Sequence, residues 1–339
     1  MHDHPQNTEQ LDDWLSEPTD AVRESLARLK GDILILGAGG KMGPTLARMA
    51  RRALPEQYEV IAASRFRSAE AADQLCRHGV QVEYCDLLDR DQVARLPDVS
   101  HVIYMAGQKF GTVDAAERLW MMNAVMPSIV AKRYRNSRNV VFSTGCVYSF
   151  VDVNSGGSKE SDPLDPPGEY ANSCIARERV FSFYSQEYET PVLLFRLNYA
   201  IDLRYGVLRD IADKVWHEQP VDVTMGHVNV IWQGDANARA LQCLEKTAAP
   251  PSILNVTGPE CLSVRSLAER LGELMGKTPI ITGEEAPTAW LSDASQSIEW
   301  FGPPTVSVDQ MLEATADWVT KGGESLGKPT HFETRDGKY

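Results

Sequence analysis

The stretch ILILGAGGKMGPTLARMA, residues 33–50, constrains the fold more than any other part of the chain. Ile33 to Leu36 form a short unbroken apolar run that ends in glycine, the mark of a strand buried on both faces. From Pro44 the pattern turns helical. Between the two, Gly37, Gly40 and Gly43 are spaced G-x-x-G-x-x-G. Gly37 allows a tight turn, Gly40 lets backbone approach a pyrophosphate, and Gly43 permits close packing of helix on strand. The anion then rests on the helix N-terminus, where N–H groups and the dipole favour negative charge. Lys41 and Met42 belong to the same loop and are placed with it at the cofactor.

Further apolar runs follow at 58–64, 80–86, 101–107, 139–145 and 191–197, with helical stretches between most of them, notably 112–133 and 170–188. Strand alternating with helix argues for a parallel sheet with right-handed crossovers. The expected architecture is α/β, a Rossmann-type doubly wound parallel sheet over residues 31–197. A helical arm over 1–30 precedes it, with Leu11, Leu15, Val22, Leu26 and Leu29 at near-helical spacing and Pro18 as a break. A smaller, mainly substrate-binding portion over 198–339 follows, with chain returning to the sheet near 228–256. Its clear helices are 263–276, with Ser263 as cap, and 307–323, with Ser307 as cap and glycine after its end. The polar tail from Gly327 suggests no role.

The formal net charge of -13 argues against a nucleic-acid binder, which needs clustered Lys and Arg. It leaves room for an anionic small ligand in a locally positive pocket. No apolar run approaches the length of a membrane span, and the N-terminus lacks the apolar segment of a secretory signal. Six scattered cysteines without a C-x-x-C read as free thiols in a reducing cytoplasm, and the histidines show no metal-ligand spacing. At the end of the second strand an acid suits the adenosine ribose and an arginine suits a 2′-phosphate. The chain offers Ser64 and Arg65, with Arg67 beyond, which favours NADP(H) over NAD(H). Asp86, with Leu87 beside it, is placed for the adenine, and Ala106 and Gly107 close the fourth strand beside the cofactor.

With the glycine loop, STGCVYS (143–149) and KESDPLDPPGEYANSC (159–174) in place, the chain resembles the extended short-chain dehydrogenase/reductases, the NAD-dependent epimerase/dehydratase family. That resemblance implies a small-molecule, sugar-like substrate and a homodimer formed through the helices at 112–133 and 170–188. By position Thr144 takes the family's hydroxyl role and Tyr170 its tyrosine role, as proton relay and as a contact to the cofactor. Asn123 matches the helix asparagine. Arg196, Asn198 and Arg204 lie where the family makes sugar-nucleotide contacts, and Lys109, in the loop after the fourth strand, is placed with them at the substrate.

The family's lysine, four residues after the tyrosine, is Cys174 in this chain. A cation within about 4–6 Å lowers a phenol pKa by roughly 1–3 units, and a thiol does not supply it. Arg177 and Lys109 are the candidate replacements, with a surface ion pair the expected role of Arg177. A lysine restored at position 174 is expected to keep the fold and raise turnover. The family's 4,6-dehydratases carry Asp-Glu after the threonine; Gly145 and Cys146 stand here, which disfavours that reaction. Cys146 falls where the GDP-fucose-forming epimerase–reductases have an acid/base cysteine, or it is a small residue beneath the nicotinamide. Asp235 is expected to cap the helix over 236–245. Two readings follow: an NAD(P)-dependent oxidoreductase or epimerase, or a dinucleotide-binding regulator of the same fold with little or no turnover.

Overall fold

Each expected apolar run becomes a strand, because residues that alternate across a pleat can bury both faces at once. The strands are β1 (Ile33–Leu36), β2 (Val60–Ser64), β3 (Gln81–Tyr84), β4 (His101–Tyr104), β5 (Arg138–Thr144), β6 (Val192–Leu197) and β7 (Ser252–Val256). They form one parallel sheet in the order β7-β6-β5-β4-β1-β2-β3. The computed structural model describes residues 4–66, 68–109 and 115–337, so Arg67 and the start of the expected 112–133 helix lie outside the described residues.

Ile33 and Ile35 face one side of the sheet, Leu34 and Leu36 the other, and all four are fully buried. On the first side lie α2 (Asp20–Arg28), α3 (Gly43–Ala53), α4 (Ala69–Arg77), α10 (Gln233–Gln242) and α12 (Ser295–Phe301). The second side carries α5 (Arg90–Arg95), α7 (Met126–Arg133) and α8 (Glu169–Tyr188). The helix leading into α7 runs as α6 (Ala116–Trp120) and then a π-helical turn, Met121–Val125. A separate core joins α9 (Val207–Trp216), α11 (Val264–Met275) and α13 (Val308–Thr320). Ser263 caps α11, and Ser307 with Gln310 makes a full capping box on α13.

The N-terminal arm ties these cores together. In α1 (Thr8–Leu15), Leu11 and Leu15 enter the α9/α11/α13 core, and Trp14 stacks on Trp232 at 4.2 Å. Val22, Leu26 and Leu29 instead enter the sheet core. Chain returns to the central sheet only at β7, the expected SILNV strand. Residues 227–232 form two short pairs, with Leu262–Ser263 and with Ala200–Ile201. Asp235 does not cap α10: its carboxylate accepts from the Thr305 N–H and hydroxyl and from the Val306 N–H, fastening the loop before α13. Among the described residues no helix is long and apolar enough to cross a membrane.

Candidate active site

Strand order reverses between β1 and β4, and the crevice beyond their C-terminal ends is where open α/β sheets bind ligands. The glycine loop lies there. Gly37 has φ +92°, and a Cβ on it would stand 2.7 Å from the Ala106 backbone, so this turn and the end of β4 meet only through glycine. A Cβ on Gly43 would lie 2.1 Å from the Ala38 carbonyl oxygen. Gly40 is different, with nothing nearer its Cβ position than the Gly37 oxygen at 3.4 Å. No side chain caps the N-terminus of α3, which leaves its first amides available to an anion. The loop therefore fits a dinucleotide pyrophosphate.

A cavity of about 280 Å³ opens beside this loop. Gly37, Gly40, Lys41 and Met42 line one side of it, and Thr144, Cys146 and Tyr170 the other. Thr144 ends β5, where its Oγ accepts from the Cys146 N–H at 3.2 Å and starts a tight turn. Tyr170 sits in the first turn of α8, two residues after Gly168 at φ +82°. Burial pushes the Tyr170 phenol well above its usual range, and the Cys174 and Cys146 thiols push it further; Arg177 pulls it back.

Cys174 is fully buried against Val147, Tyr148, Ile175 and Leu164. Burial raises its thiol, so it stays neutral beside the phenol. A buried cation lies nearby on the same helix. Arg177, one turn further along α8, is not a surface ion pair but is only 6% exposed. Its guanidinium donates to the Phe142 carbonyl at 2.9 Å and to Asn123 Oδ1 at 2.8 Å. A Cβ on Gly107 would be 2.4 Å from Arg177 Nη2, so glycine at 107 is what leaves room for the guanidinium under the end of β4. Asn123 lies in the π-helical turn, a geometry often found at functional sites. It also pairs with both backbone groups of Gln108 and donates to the Ser173 hydroxyl at 3.0 Å, so it holds Arg177 and the Gly107 loop together.

Lys109 and Lys41 bring two further charges. Lys109 Nζ lies 5.8 Å from the centre of the Tyr170 ring and donates to the Thr330 carbonyl at 3.2 Å. Lys41 Nζ donates to the Ala200 carbonyl at 3.0 Å and lies 4.5 Å over the Tyr205 ring. Burial lowers both ammonium groups, that of Lys41 to about 8. Sequence reasoning missed Tyr199, Tyr205 and Thr330 as cavity residues. Of these, only Tyr199 carried a signal: it follows RLN at the end of β6, and its backbone is left-handed at φ +44°, rare outside glycine.

Other expected contacts are redistributed. Asn198 lines the cavity, but its amide donates to the Trp290 carbonyl. Arg196 does not face a ligand: it makes a two-pronged pair with Glu178 at 2.7 and 3.0 Å and donates to the Tyr148 hydroxyl at 2.6 Å. Arg204 likewise turns inward, to Asp202 and to Asp12 of α1. Register explains Arg196, because Ser143, Arg196 and Asn255 stand side by side on β5, β6 and β7. Arg65, half exposed past Ser64, lies 3.8 Å from Asp86, so the two expected adenosine contacts face one another. Leu87 is buried in the second sheet core and offers a ligand only its backbone.

A Rossmann sheet with a glycine loop at its switch point, and a Thr and a Tyr across one cavity, define a dinucleotide-dependent short-chain type of protein. Residues 33–201 match the NAD dependent epimerase/dehydratase family, and the chain belongs to that family. Its members are NAD-dependent epimerases and dehydratases. Among solved structures it is similar to Pal from Bacillus thuringiensis, at 19% identity over 85% of this chain and 98% of that one, with a TM-score of 0.72. Similar too are the UDP-glucose 4-epimerase of Thermotoga maritima with UDP-glucose (17% identity, 86% and 99% covered, TM-score 0.70) and that of Thermus thermophilus with NAD (20%, 86% and 99%, 0.71). At these identities the likeness is one of fold. Among curated proteins, none matches the sequence.

Proposed function

We propose that the chain transfers hydride between a nicotinamide dinucleotide and a carbinol or keto carbon of a sugar or related compound, as an oxidoreductase or epimerase. The observation that carries this reading is the shared cavity of Thr144, Tyr170 and the glycine loop. When bound, the dinucleotide supplies or accepts the hydride. Tyr170 gives or takes the proton on the substrate oxygen, and the Thr144 hydroxyl holds that oxygen in line. The buried Arg177 charge favours the phenolate that the relay passes through. A 4,6-dehydration lacks its carboxylates, because Gly145 and Cys146 follow Thr144. The apolar packing of Cys174 favours the second reading, a dinucleotide-binding regulator. Transfer of label from deuterated NAD(P)H to any of a panel of keto sugars supports the enzyme; dinucleotide binding without transfer across the panel supports the regulator.

Arg65, with no acid at positions 64 or 65, supports NADP(H), although Asp86 competes for its charge. NADPH is expected to bind more tightly than NADH in a fluorescence titration, and Arg65→Ala to erase the difference. Equal affinity in the unaltered chain would show that Arg65 does not select a 2′-phosphate. Met121, Val125, Phe183 and Tyr188 are exposed on the π-helical turn and on α8, which supports a homodimer through these helices. Light scattering is expected to give twice the chain mass, and Phe183→Glu to halve it; a monomeric parent chain rejects this.

A further inference from the structure

The C-terminal tail, for which the sequence suggests no role, is packed rather than solvated: Thr330, Phe332 and Gly337 are all buried. Beyond α13 the Leu326 N–H donates to the Arg204 carbonyl at 3.0 Å. Thr330 donates through its N–H and hydroxyl to Asp210 of α9, at 2.7 and 2.5 Å, and its carbonyl accepts from Lys109 at 3.2 Å. Phe332 enters the α9/α11/α13 core, and Glu333 pairs with Lys214 at 3.1 Å. Arg335 donates to the Thr288 carbonyl and hydroxyl, each at 2.7 Å, and its guanidinium lies 4.2 Å over the Phe150 ring. Gly337 then meets the residues that open α8.

We infer that residues 330–337 are a brace that sets the first turn of α8 and so positions Tyr170. That turn has little of its own to fix where it starts. Its cap residue is Gly168 at φ +82°, the residue with the most backbone freedom, and no side chain caps it. Asn172 donates to the Pro166 and Gly168 carbonyls at 3.2 and 2.8 Å, which ties the turn only to its own lead-in. Glu169 accepts from Trp120 Nε1 at 2.6 Å, through an exposed bond. Gly337 supplies a buried contact from outside. A Cβ on Gly168 would stand 2.5 Å from the Gly337 oxygen, and one on Gly337 would stand 2.5 Å from the Pro167 oxygen. The two backbones meet only because both residues are glycine, Gly337 also being left-handed at φ +74°.

The ring of Tyr170 is reached by a second route. It packs on the cluster of Cys146, Ala171, Met225 and Trp290, to which Phe150 also belongs. Phe150 lies 4.4 Å from Trp290, and the Arg335 guanidinium, pinned by Thr288, lies over Phe150. The tail therefore acts on Tyr170 through the backbone two residues before it and through the ring cluster beside it. The catalytic consequence rests on the hydride-transfer reading above. A misplacement of about 1 Å in a reacting group costs roughly 100-fold in rate, so a brace at this turn matters far more to turnover than to folding.

The test compares full-length Arg335→Ala and Gly337→Val with the unaltered protein by amide hydrogen exchange. Arg335 makes no ion pair among the described residues, so removing it strands no acid. Valine at 337 cannot keep the backbone contact with Pro167. Each variant is expected to speed exchange at least about tenfold at residues 173–175, whose amides bond to the carbonyls of the first turn, with residues 181–187 unchanged. Arg335→Lys, which keeps a cation over Phe150, is expected to exchange like the unaltered protein. Where label passes from deuterated NAD(P)H to a keto sugar, kcat is expected to fall at least about tenfold in Arg335→Ala and Gly337→Val, with KM and dinucleotide affinity within about twofold. Unchanged exchange at 173–175 in either of these two variants overturns the inference. So does exchange that rises equally along the whole of α8, which marks loss of fold, or faster exchange with kcat unchanged. A protein that binds dinucleotide and transfers no label overturns the hydride-transfer reading instead, and exchange alone then decides the brace.

Discussion

Tyr170→Phe is expected to lower turnover by roughly 10²–10⁴-fold while dinucleotide affinity changes little. The phenol lines the cavity with Thr144, across from the glycine loop, and is also within reach of a cation's field. Its burial makes that field matter. Burial raises the phenol pKa and the two thiols add to the cost, so a relay through Tyr170 would need positive charge. Arg177→Met is the companion experiment. Removing a cation that favours the phenolate raises the phenol pKa, so the rising limb of the pH–rate profile is expected to move to higher pH by roughly 1–3 units. A rate loss with no such shift would make Arg177 merely structural.

The burial of Arg177 also corrects what is expected of Cys174→Lys. A lysine at 174 would place a second cation in an apolar pocket one turn from the buried guanidinium. Like charges out of water repel strongly. The single substitution is therefore expected to destabilise the protein without raising turnover. Cys174→Lys combined with Arg177→Met is expected to recover activity lost in Arg177→Met alone, because one cation then serves the phenol. On the proposed mechanism, the Tyr-x-x-x-Cys pattern corresponds to a charge moved by one helical turn.

The second large effect is on stability. Glu178→Ala is expected to cost about 3–5 kcal/mol, measured by urea unfolding followed through tryptophan fluorescence. Glu178 and Arg196 are each almost wholly buried, and their pair is completed by the Ser143 hydroxyl, which donates to Glu178 at 2.5 Å, and by Tyr148. Removing the carboxylate strands a guanidinium in the sheet. Glu178→Ala with Arg196→Met is expected to recover most of the loss, since an apolar pair needs no compensation. Thr144 follows Ser143 directly, so the single variant is also expected to disturb the active site. A cost below about 1 kcal/mol would show the pair to be dispensable.

The sheet was legible because its signal is local: apolar runs of strand length, each followed by helix, allow few arrangements. The glycine loop was legible for a similar reason, with Gly37 and Gly43 each answering to a close approach that a Cβ would block. Charged side chains were not. Arg177, Arg196 and Arg204 look alike in sequence, and what separates them is which buried partner the tertiary fold supplies: Asn123 and Phe142, Glu178, or Asp12 and Asp202. Those partners lie as much as 192 residues away, beyond any helical or strand period. The path of the C-terminal tail was invisible for a related reason. Its anchors are paired polar bonds at Thr330 and Arg335, the Glu333–Lys214 ion pair and one buried ring, Phe332, in a segment without periodicity.

The most direct measurement is a crystal structure of the full-length protein with NAD(P)⁺ bound. The pyrophosphate is expected on the amides that begin α3 and the nicotinamide in the cavity between the glycine loop and Thr144. The Tyr170 hydroxyl is expected on the nicotinamide ribose, with the Arg177 guanidinium roughly 4–6 Å from that oxygen. A nicotinamide held outside the cavity, or a Tyr170 oxygen surrounded only by Cys174 and its apolar neighbours, would contradict this arrangement.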